Sequence, residues 1–559
     1  GAVACKWCGF GLISQHTGSQ SFLECGCKSG EYIQCLTDAG INPCGLNKSH
    51  RSTCMACPKG FECAGFHETI NGSMAHSQPK LLSGNYAKVD APYNAYRCLH
   101  AQDFCLAGAA RGDASCGGGR FGMQCSECET TFLARRGSAC STCTTGGGYL
   151  LVPAAAIIIC LILSGVYFIN KKGLDAEENQ AERDISLLAE DLQAVSSLVV
   201  VLVSTFQILA LFSSFSVRWP DSADTFLHSF TLLLSDLEVL GVACFFGSGS
   251  LVSVYLPNLL GPIIVMLLMV ACIAFSHLLS MISSMAIPMD TDIARNSIGS
   301  VMQTMAVALG ASVLTLFECA ENPSADKTLR TFDGFYCFGD EVIALLPFGF
   351  SGVLVYICGT FAWFAYIVAV APSRYPQSFV FRKRNRFLIQ RWNPKKYWYG
   401  LPLLIRNYLM SLVPTMTSDP HAQLLLAFVF MGMQYVLMMT HRPWRQPSVN
   451  DVDAALSGSI FFVIFVGMAF MPGIDDHSLI NALSTAMILI LCACAVASVT
   501  ILLKSAFVTR YKRHPQNLKK DSRERFFHVV REAADLHATN RELAEEAYNS
   551  FFNGTGSKQ

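Results

Sequence analysis

Four cysteines have the spacing of a metal-binding site. Two residues separate Cys125 from Cys128 and Cys140 from Cys143, and eleven lie between the two pairs. Four thiolates spaced in this way can bind zinc. However, 16 of the chain's 24 cysteines precede residue 147, and that segment has few apolar clusters for a core. We therefore expect disulfides and no metal, because cross-links stabilise such cysteine-dense segments in oxidising compartments. The spacing leaves the pairing open.

Other residues also point to an oxidising, extracytosolic environment. Cys319 and Cys337 flank the polar run ENPSADKTLRTFDG, so we expect a disulfide between them. Asn47 and Asn71 each begin an Asn-x-Ser sequon and are candidate glycosylation sites.

Two ionisable residues lie within apolar segments, where such groups often have a function. Arg406 either extends to lipid headgroups or pairs with an acid as part of a gate or ion path. For that acid the candidates are Asp290, Asp292 and Glu318. His277 is either a hydrogen-bonded packing residue or a proton sensor.

Two charged segments suggest surfaces for ions and lipids. Asp236 and Glu238, in an amphipathic helix expected within 221–256, form either an acidic vestibule that concentrates cations or a solvated polar face. The run 374–398 is basic and aromatic without an acid, so it either binds anionic lipid headgroups or only sets the topology. Its candidate lipid-binding residues are Arg382, Lys383, Arg384, Arg386, Lys395 and Lys396.

Long apolar segments must position all of these residues. The chain is 52% hydrophobic and 15% charged, which is typical of a membrane protein. Each of the apolar runs is long enough to predict a transmembrane helix. We expect about nine, at 149–169, 194–214, 257–280, 297–317, 342–371, 400–416, 422–440, 454–472 and 479–503.

Basic residues predict the orientation of these spans. With the N-terminus outside, the inner segments carry 20 Lys and Arg and the outer connections carry 3. Since positive charge favours the cytosolic side, we expect an extracellular or lumenal N-terminus and a cytosolic C-terminus. The predicted domains are a cysteine-rich ectodomain (1–146), a transmembrane bundle (147–503) and a basic cytosolic tail with an amphipathic helix (504–559). Because Cys5 and Cys8 follow Gly1 at once, we also expect that the sequence is a fragment.

Two stretches of the ectodomain resemble known cysteine-rich modules. CGLNKSHRSTCMACPKGFECAG, residues 44–65, resembles ephrin-receptor-like modules, and residues 96–143 look like an EGF/laminin-type unit. The resemblance implies small disulfide-rich folds of loops and β-hairpins. Such modules precede polytopic membrane regions in proteins of algae and protists.

The membrane region is similar to TRP-like polytopic regions. The similarity lies in Arg218-Trp219-Pro220, in the cysteine-bearing loop 318–341, and in KKYWYGLPLLIRNYL followed by HRPWRQPSVNDVD. It implies a sensory or mechanically gated cation channel, although no selectivity-filter motif is present. The alternative is a cell-surface receptor or adhesion protein; a transporter ranks lower.

No phosphate loop, HExxH, GxSxG or kinase signature occurs in the sequence, so we expect no enzyme and no cofactor. The expected partners are membrane lipids, including anionic lipids of the cytosolic leaflet, while an extracellular ligand and a homo-oligomer stay open. Nothing in the chain indicates nucleic-acid binding. We expect the protein in the plasma membrane or another surface or endomembrane.

Overall fold

The chain is known from a computed structural model. The residues that the structure describes are 13–14, 25–37, 40–42, 52–64, 67–70, 73–76, 79–99, 102–128, 132–133, 139–142, 164, 167, 182–217, 219–234, 251–282, 288–324, 326–332, 334–470 and 477–512.

The chain divides into two compact units. A cysteine-rich unit comprises Gly1–Tyr149, Leu240–Val254 and Leu316–Leu345. A helical unit comprises Leu150–Val239, Tyr255–Thr315 and Leu346–Gln559. The first unit therefore contains not only the N-terminal segment but also the cysteine-bearing loop predicted between two spans.

Short antiparallel strands build the cysteine-rich unit. Within the described part of the unit, every sheet has two strands except one of three, in which the strand Glu31–Thr37 lies between the other two. The strands are β1 (Ile13–Ser14), β2 (Cys25–Gly26), β3 (Glu31–Thr37), β4 (Gly40–Asn42), β5 (Ser52–Ala56), β6 (Phe61–Glu62), β7 (His67–Ile70), β8 (Ser73–His76), β9 (Lys80–Leu81), β10 (Asn85–Ala87), β11 (Ala95–Arg97), β12 (Arg120–Phe121), β13 (Glu127–Cys128), β14 (Phe132–Leu133), β15 (Ser141–Thr142), β16 (Cys319–Glu321) and β17 (Lys327–Leu329).

Disulfides and small aromatic clusters hold these strands together. Tyr86 and Tyr96, one on each strand of the β10–β11 hairpin, pack against half-cystines in one such cluster. Because each sheet is too small to be stable alone, the cross-links carry much of the stability. Among the described residues the pairs are Cys27–Cys54, Cys57–Cys63, Cys98–Cys105, Cys116–Cys125, Cys128–Cys140 and Cys319–Cys337.

Most of the remaining described chain is helical. The helices are α1 (Glu182–Phe212), α2 (Asp221–His228), α3 (Leu251–Ile282), α4 (Thr291–Thr304), α5 (Ala306–Leu314), α6 (Asp340–Gly352), α7 (Thr360–Gln377), α8 (Phe379–Arg384), α9 (Arg386–Ile389), α10 (Gly400–Met416), α11 (Pro420–His441), α12 (Pro447–Ala469) and α13 (His477–Lys512). A π-helical segment, Val353–Gly359, joins α6 to α7.

Five described helices are long and apolar enough to cross a membrane, which supports a membrane protein. They are Tyr255–Ile282, Asp340–Gln377, Pro420–His441, Pro447–Ala469 and Ser478–Ile501. A sixth is obtained if α4 and α5, which bend by 59° at Met305, count as one span.

The predicted count of nine spans is not supported. Within 194–214 the apolar part of α1 is the short stretch Ser196–Phe212, and α10, over 400–416, has only 17 residues. Both helices form, but neither has the length and hydropathy of a full span. The predicted span 149–169 and the predicted helix of the tail lie almost entirely outside the described residues.

The core of the helical unit consists of several apolar clusters. In one, Phe212 and Leu227 pack with Met410, Val463 and Met487. In another, Trp392 and Trp444, whose rings are tilted by 37° to each other, pack with Leu403 and Leu456. These clusters hold α1 against α10 and α12, and this packing positions the polar residues described next.

Candidate functional site

Arg406 is a buried ionisable residue of the helical unit. It lies on α10 with 7% of its surface exposed. Its Nη2 donates to Ser204 Oγ at 2.8 Å and to Asn407 Oδ1 at 2.7 Å, and its Nε donates to the same Oδ1 at 3.1 Å. The guanidinium therefore does not extend to a headgroup, because its donors are used inside the bundle.

The acid that interacts with Arg406 is Asp453, which lies on α12. The two charges do not form a direct salt bridge. Asp453 instead accepts hydrogen bonds from Trp444 Nε1 at 2.8 Å and Ser457 Oγ at 3.4 Å. Tyr399 interacts electrostatically with both charges, and Gln434 Nε2 donates to its hydroxyl at 2.8 Å. We call Ser204, Tyr399, Arg406, Asn407 and Asp453 the charged cluster.

A buried cation and a buried anion that attract each other without a direct salt bridge are a sensitive arrangement. Each charge has lost much of its hydration, so their mutual attraction and their hydrogen bonds must offset the cost of desolvation. A shift of α10 against α12 would change that balance more than it would at an exposed pair. The arrangement can therefore respond to helix movement or to an electric field.

None of the three acids considered for Arg406 from the sequence contacts it. Asp290 Oδ2 lies 3.0 Å from Lys383 Nζ, and Asp292 Oδ1 accepts a hydrogen bond from Arg384 Nε. Glu318 belongs to the cysteine-rich unit, where it accepts from Thr331 Oγ1 at 3.0 Å.

His277 lies on α3 and is partly buried. Its Nε2 is buried without a hydrogen-bond partner among the described residues. His277 thus has one unsatisfied ring nitrogen in the described part of the chain, and its role as a packing residue or a proton sensor stays a prediction.

The basic segment is partly neutralised. Lys383 and Arg384 pair with the two acids at the start of α4. Burial alone would raise the pKa of Asp290, but hydrogen bonds from Lys383 and two backbone amides lower it overall. Arg382 donates to the carbonyls of Tyr375 and Pro376.

The remaining three basic candidates of this segment differ in their surroundings. Arg386 and Lys395 are exposed. The Nζ of Lys396 lies 3.2 Å from His441 Nδ1. The available positive charge is therefore smaller than the eight basic residues of the sequence suggest.

Sequence reasoning missed several polar residues of the helical unit. Arg391 donates to Ser300 Oγ at 2.7 Å, and burial lowers its pKa to about 10. Tyr356, on the π-helical segment, donates to the carbonyl of Leu259 at 2.7 Å and accepts at its own carbonyl from Tyr408 at 2.9 Å. The π-helix is the only feature that points to Tyr356, because π-helices often occur at functional positions. No sequence signal marks this π-helix.

A second candidate site lies within the cysteine-rich unit, where the hairpin β16–β17 docks on N-terminal residues. Gln124, fully buried, donates from Nε2 to Thr328 Oγ1 at 3.2 Å and to the carbonyl of Arg97 at 2.8 Å. Its Oε1 accepts from the backbone amide of Gly334 at 2.8 Å. Gln124 has a φ of 60°, an uncommon left-handed conformation that the surrounding contacts must stabilise.

Aromatic and backbone contacts extend this docked hairpin. Tyr96 donates to Asp326 Oδ2 at 3.0 Å and accepts from the Tyr336 hydroxyl at 3.1 Å. Burial and these two neighbours raise the pKa of Tyr96. The backbone amide of Arg97 also donates to Asn322 Oδ1 at 3.0 Å. The hairpin is thus an integral part of the unit.

The cysteines considered for zinc are used in disulfides. Cys125 is bonded to Cys116 and Cys128 to Cys140, so none of these sulfurs is a free thiolate; Cys143 lies outside the described residues. Cys319 and Cys337 are bonded to each other across the base of the hairpin. Four other candidates also lie outside the described residues, namely Asn47, Asn71, Asp236 and Glu238.

Comparisons of the chain with protein-family models, with curated proteins and with solved structures give no match.

Proposed function

We propose that this chain is a multi-pass surface membrane protein that acts as a TRP-like sensory or mechanically gated cation channel. Its cysteine-rich unit faces the extracellular or lumenal side and its C-terminus faces the cytosol. The sequons, the disulfides and the 20 to 3 distribution of basic residues support this orientation.

The observation that carries the proposal is the charged cluster. Arg406 and Asp453 are both almost fully buried among apolar helices, where ionisable groups are costly. Residues of this kind mark ion paths, gates and voltage-sensing elements in membrane proteins. A pair of buried charges that interact electrostatically without a direct salt bridge suits a gate that rearranges when α10 and α12 move.

The docked hairpin supports a sensory or mechanical input. Residues 319–337 follow α5 in the chain and precede α6. Force or a ligand acting on the cysteine-rich unit would thus be transmitted through the covalent chain to two helices. Gln124 and Tyr96 form hydrogen bonds between the N-terminal residues and the hairpin. We therefore expect these two side chains to transmit the force to the hairpin.

Whole-cell and excised-patch recordings test the proposal. We expect a cation current in cells that express the chain, increased by membrane stretch. Arg406→Ala and Asp453→Asn should each abolish the current or shift its activation. Gln124→Ala should leave the current at rest but weaken its response to stretch.

Surface biotinylation and an exposed arginine provide the controls. Arg374→Ala, on the exposed end of α7, should behave like the unmodified chain. Absence of any current from chains that reach the surface would refute the channel. A stretch response unchanged by Gln124→Ala would refute the mechanical route alone.

A second candidate function is a cell-surface receptor or adhesion protein. It is favoured by the contacts of Arg406, whose hydrogen bonds all end on neighbouring side chains and mark no open path among the described residues. A silent chain at the surface whose purified ectodomain-bearing form captures a ligand would support this function.

The proposed partners are lipids and further copies of the chain. Anionic lipids of the cytosolic leaflet suit the exposed basic side chains Arg386 and Lys395. A homo-oligomer is proposed because an ion path requires either several subunits or a hydrated route lined by polar residues.

A further inference from the structure

We propose that one anionic phospholipid binds in a groove at the end of α11, with its phosphate at Lys396 and His441. The inference rests on the orientation given under the proposed function, which places this end of α11 in the cytosolic leaflet. The groove has a volume of about 460 Å³. It is lined by Gly432, Met433, Val436, Leu437, Thr440 and His441.

The shape and lining of the groove suit an acyl chain. Gly432 leaves space in the groove, because a Cβ atom at this position would have only Phe461 Cζ, at 4.0 Å, as a neighbour within 4 Å among the described residues. Met433 and Val436 are 66% and 64% exposed and form its apolar face. From Gly432 to His441 the helix rises about 13 Å at 1.5 Å per residue. That length is close to the roughly 15 Å thickness of one leaflet's hydrocarbon layer.

The polar end of the groove suits a phosphate. Lys396 Nζ lies 3.2 Å from His441 Nδ1, so the ammonium donates to that ring nitrogen and Nε2 carries the ring proton. The lysine and His441 Nε2 then present donors side by side. Lys396 has no carboxylate partner in the described part of the chain, and Trp398 packs edge-on against the histidine ring at 5.5 Å. A tryptophan at this depth is typical of the headgroup boundary.

The charge of this site selects the lipid class. The C-terminal end of a helix carries negative partial charge and disfavours an anion, so the phosphate must be held by the side-chain donors. Exposed Arg442 follows the helix and adds positive charge. A second negative group on the headgroup, as in phosphatidylserine, adds attraction to the basic side chains. The positive choline of phosphatidylcholine instead cancels the charge of the phosphate. Free phosphate would lack the tail that fills the groove.

The test uses the full chain, purified in detergent and stripped of lipid. Phosphatidylserine, phosphatidylcholine and inorganic phosphate are titrated separately, with the melting temperature and native mass spectra as readouts. We expect phosphatidylserine to raise the melting temperature and to appear as one bound molecule. Lys396→Ala should weaken this effect at least about fivefold, because one basic side chain near a membrane surface contributes about that factor.

Two further variants separate charge from shape. Gly432→Leu should fill the groove and weaken binding with all charges intact. Arg374→Ala, which removes an exposed basic side chain that does not line the groove, should leave binding unchanged. Equal stabilisation by phosphatidylcholine would overturn the headgroup assignment, and equal stabilisation by inorganic phosphate would overturn the tail assignment. If Lys396→Ala and Gly432→Leu both bind normally, the site itself is refuted.

The lipid experiment and the current recordings can fail independently. A chain that binds phosphatidylserine in this way but conducts no ions keeps the lipid site and loses the channel. A conducting chain without lipid stabilisation loses only the lipid site.

Discussion

Replacing Arg406 by methionine should destabilise the helical unit strongly. Methionine matches the arginine side chain as far as Nε and keeps the apolar contacts of the stem, but it removes all three hydrogen bonds. Asn407 Oδ1 would then keep only Ser204 Oγ, at 3.3 Å, as a side-chain donor. Asp453 would keep its two hydrogen bonds but lose Arg406, the one cation among the described residues that interacts with it.

The structure gives the size of this effect. Removing one charge of a buried pair typically costs about 3 to 5 kcal/mol, since the other is left uncompensated. A hydrogen bond between membrane helices contributes far less, on average about 0.6 kcal/mol. Arg406→Met should therefore lower the free energy of unfolding by about 3 to 5 kcal/mol. Because Asp453→Asn removes the stranded charge, the double variant should cost less than the sum of the two, with a coupling of about 1 to 3 kcal/mol.

The measurement is unfolding by sodium dodecyl sulfate in mixed micelles, followed by circular dichroism. It compares the unmodified chain, the two single variants and the double variant. Arg374→Met is the matched control, because Arg374 is exposed and its replacement removes the same atoms. This control should change the free energy by less than about 0.5 kcal/mol.

One result would refute the reasoning. If Arg406→Met differs from Arg374→Met by less than about 1 kcal/mol, and its coupling with Asp453→Asn is near zero, the two charges do not support each other. Arg406 would then be an ordinary buried polar residue, and the charged cluster would no longer argue for a gate.

Three further outcomes follow from the packing. Asp290→Asn should lower the free energy of unfolding by about 1 to 3 kcal/mol at pH 7. The folded state lowers the pKa of Asp290 below its ordinary 3.8. The difference in stability between the variant and the unmodified chain should therefore be complete above pH 3.8 and vanish as the pH falls through the folded pKa. Cys337→Ser should cost about 3 kcal/mol by opening an 18-residue loop, seen as faster proteolysis of the N-terminal residues under non-reducing conditions. Gly299→Ala should cost about 1 to 3 kcal/mol, because its new Cβ overlaps the ring of Phe387, whereas Gly261→Ala, with open space around it, should not destabilise the unit in the same melting assay.

Hydropathy and cysteine content located the main elements of the fold. The apolar runs near 257–280 and 479–503 are long helices because an uninterrupted apolar sequence leaves the backbone few alternatives. The bend at Met305 could not be predicted, since neither proline nor glycine marks it and tertiary packing decides it. The bounds of α10 were predicted correctly, but its assignment as a full span is not supported, because hydropathy does not show where packing replaces lipid.

The candidate site was only partly accessible to sequence reasoning. Arg406 was recognised because a charge within an apolar run is unusual. Its neighbour Asp453 was not, because the acid lies 47 positions further along, at the start of another helix, and only packing joins them. The partners of Lys383 and Arg384 were missed for the same reason: the acids come from a segment about 90 residues earlier.

The docked hairpin also sets an order of events during synthesis. Gln124 contacts Thr328 and Gly334 across 204 and 210 positions of sequence, with α1 to α5 encoded between them. At about 5 to 20 residues per second, a ribosome needs roughly 10 to 40 s to supply that stretch. In the proposed orientation, the N-terminal residues would stay in the lumen with an incomplete fold until the helices encoded between the two segments had been inserted. Quality control that retains chains with exposed half-folded cysteine-rich segments would thereby also monitor the assembly of the membrane region.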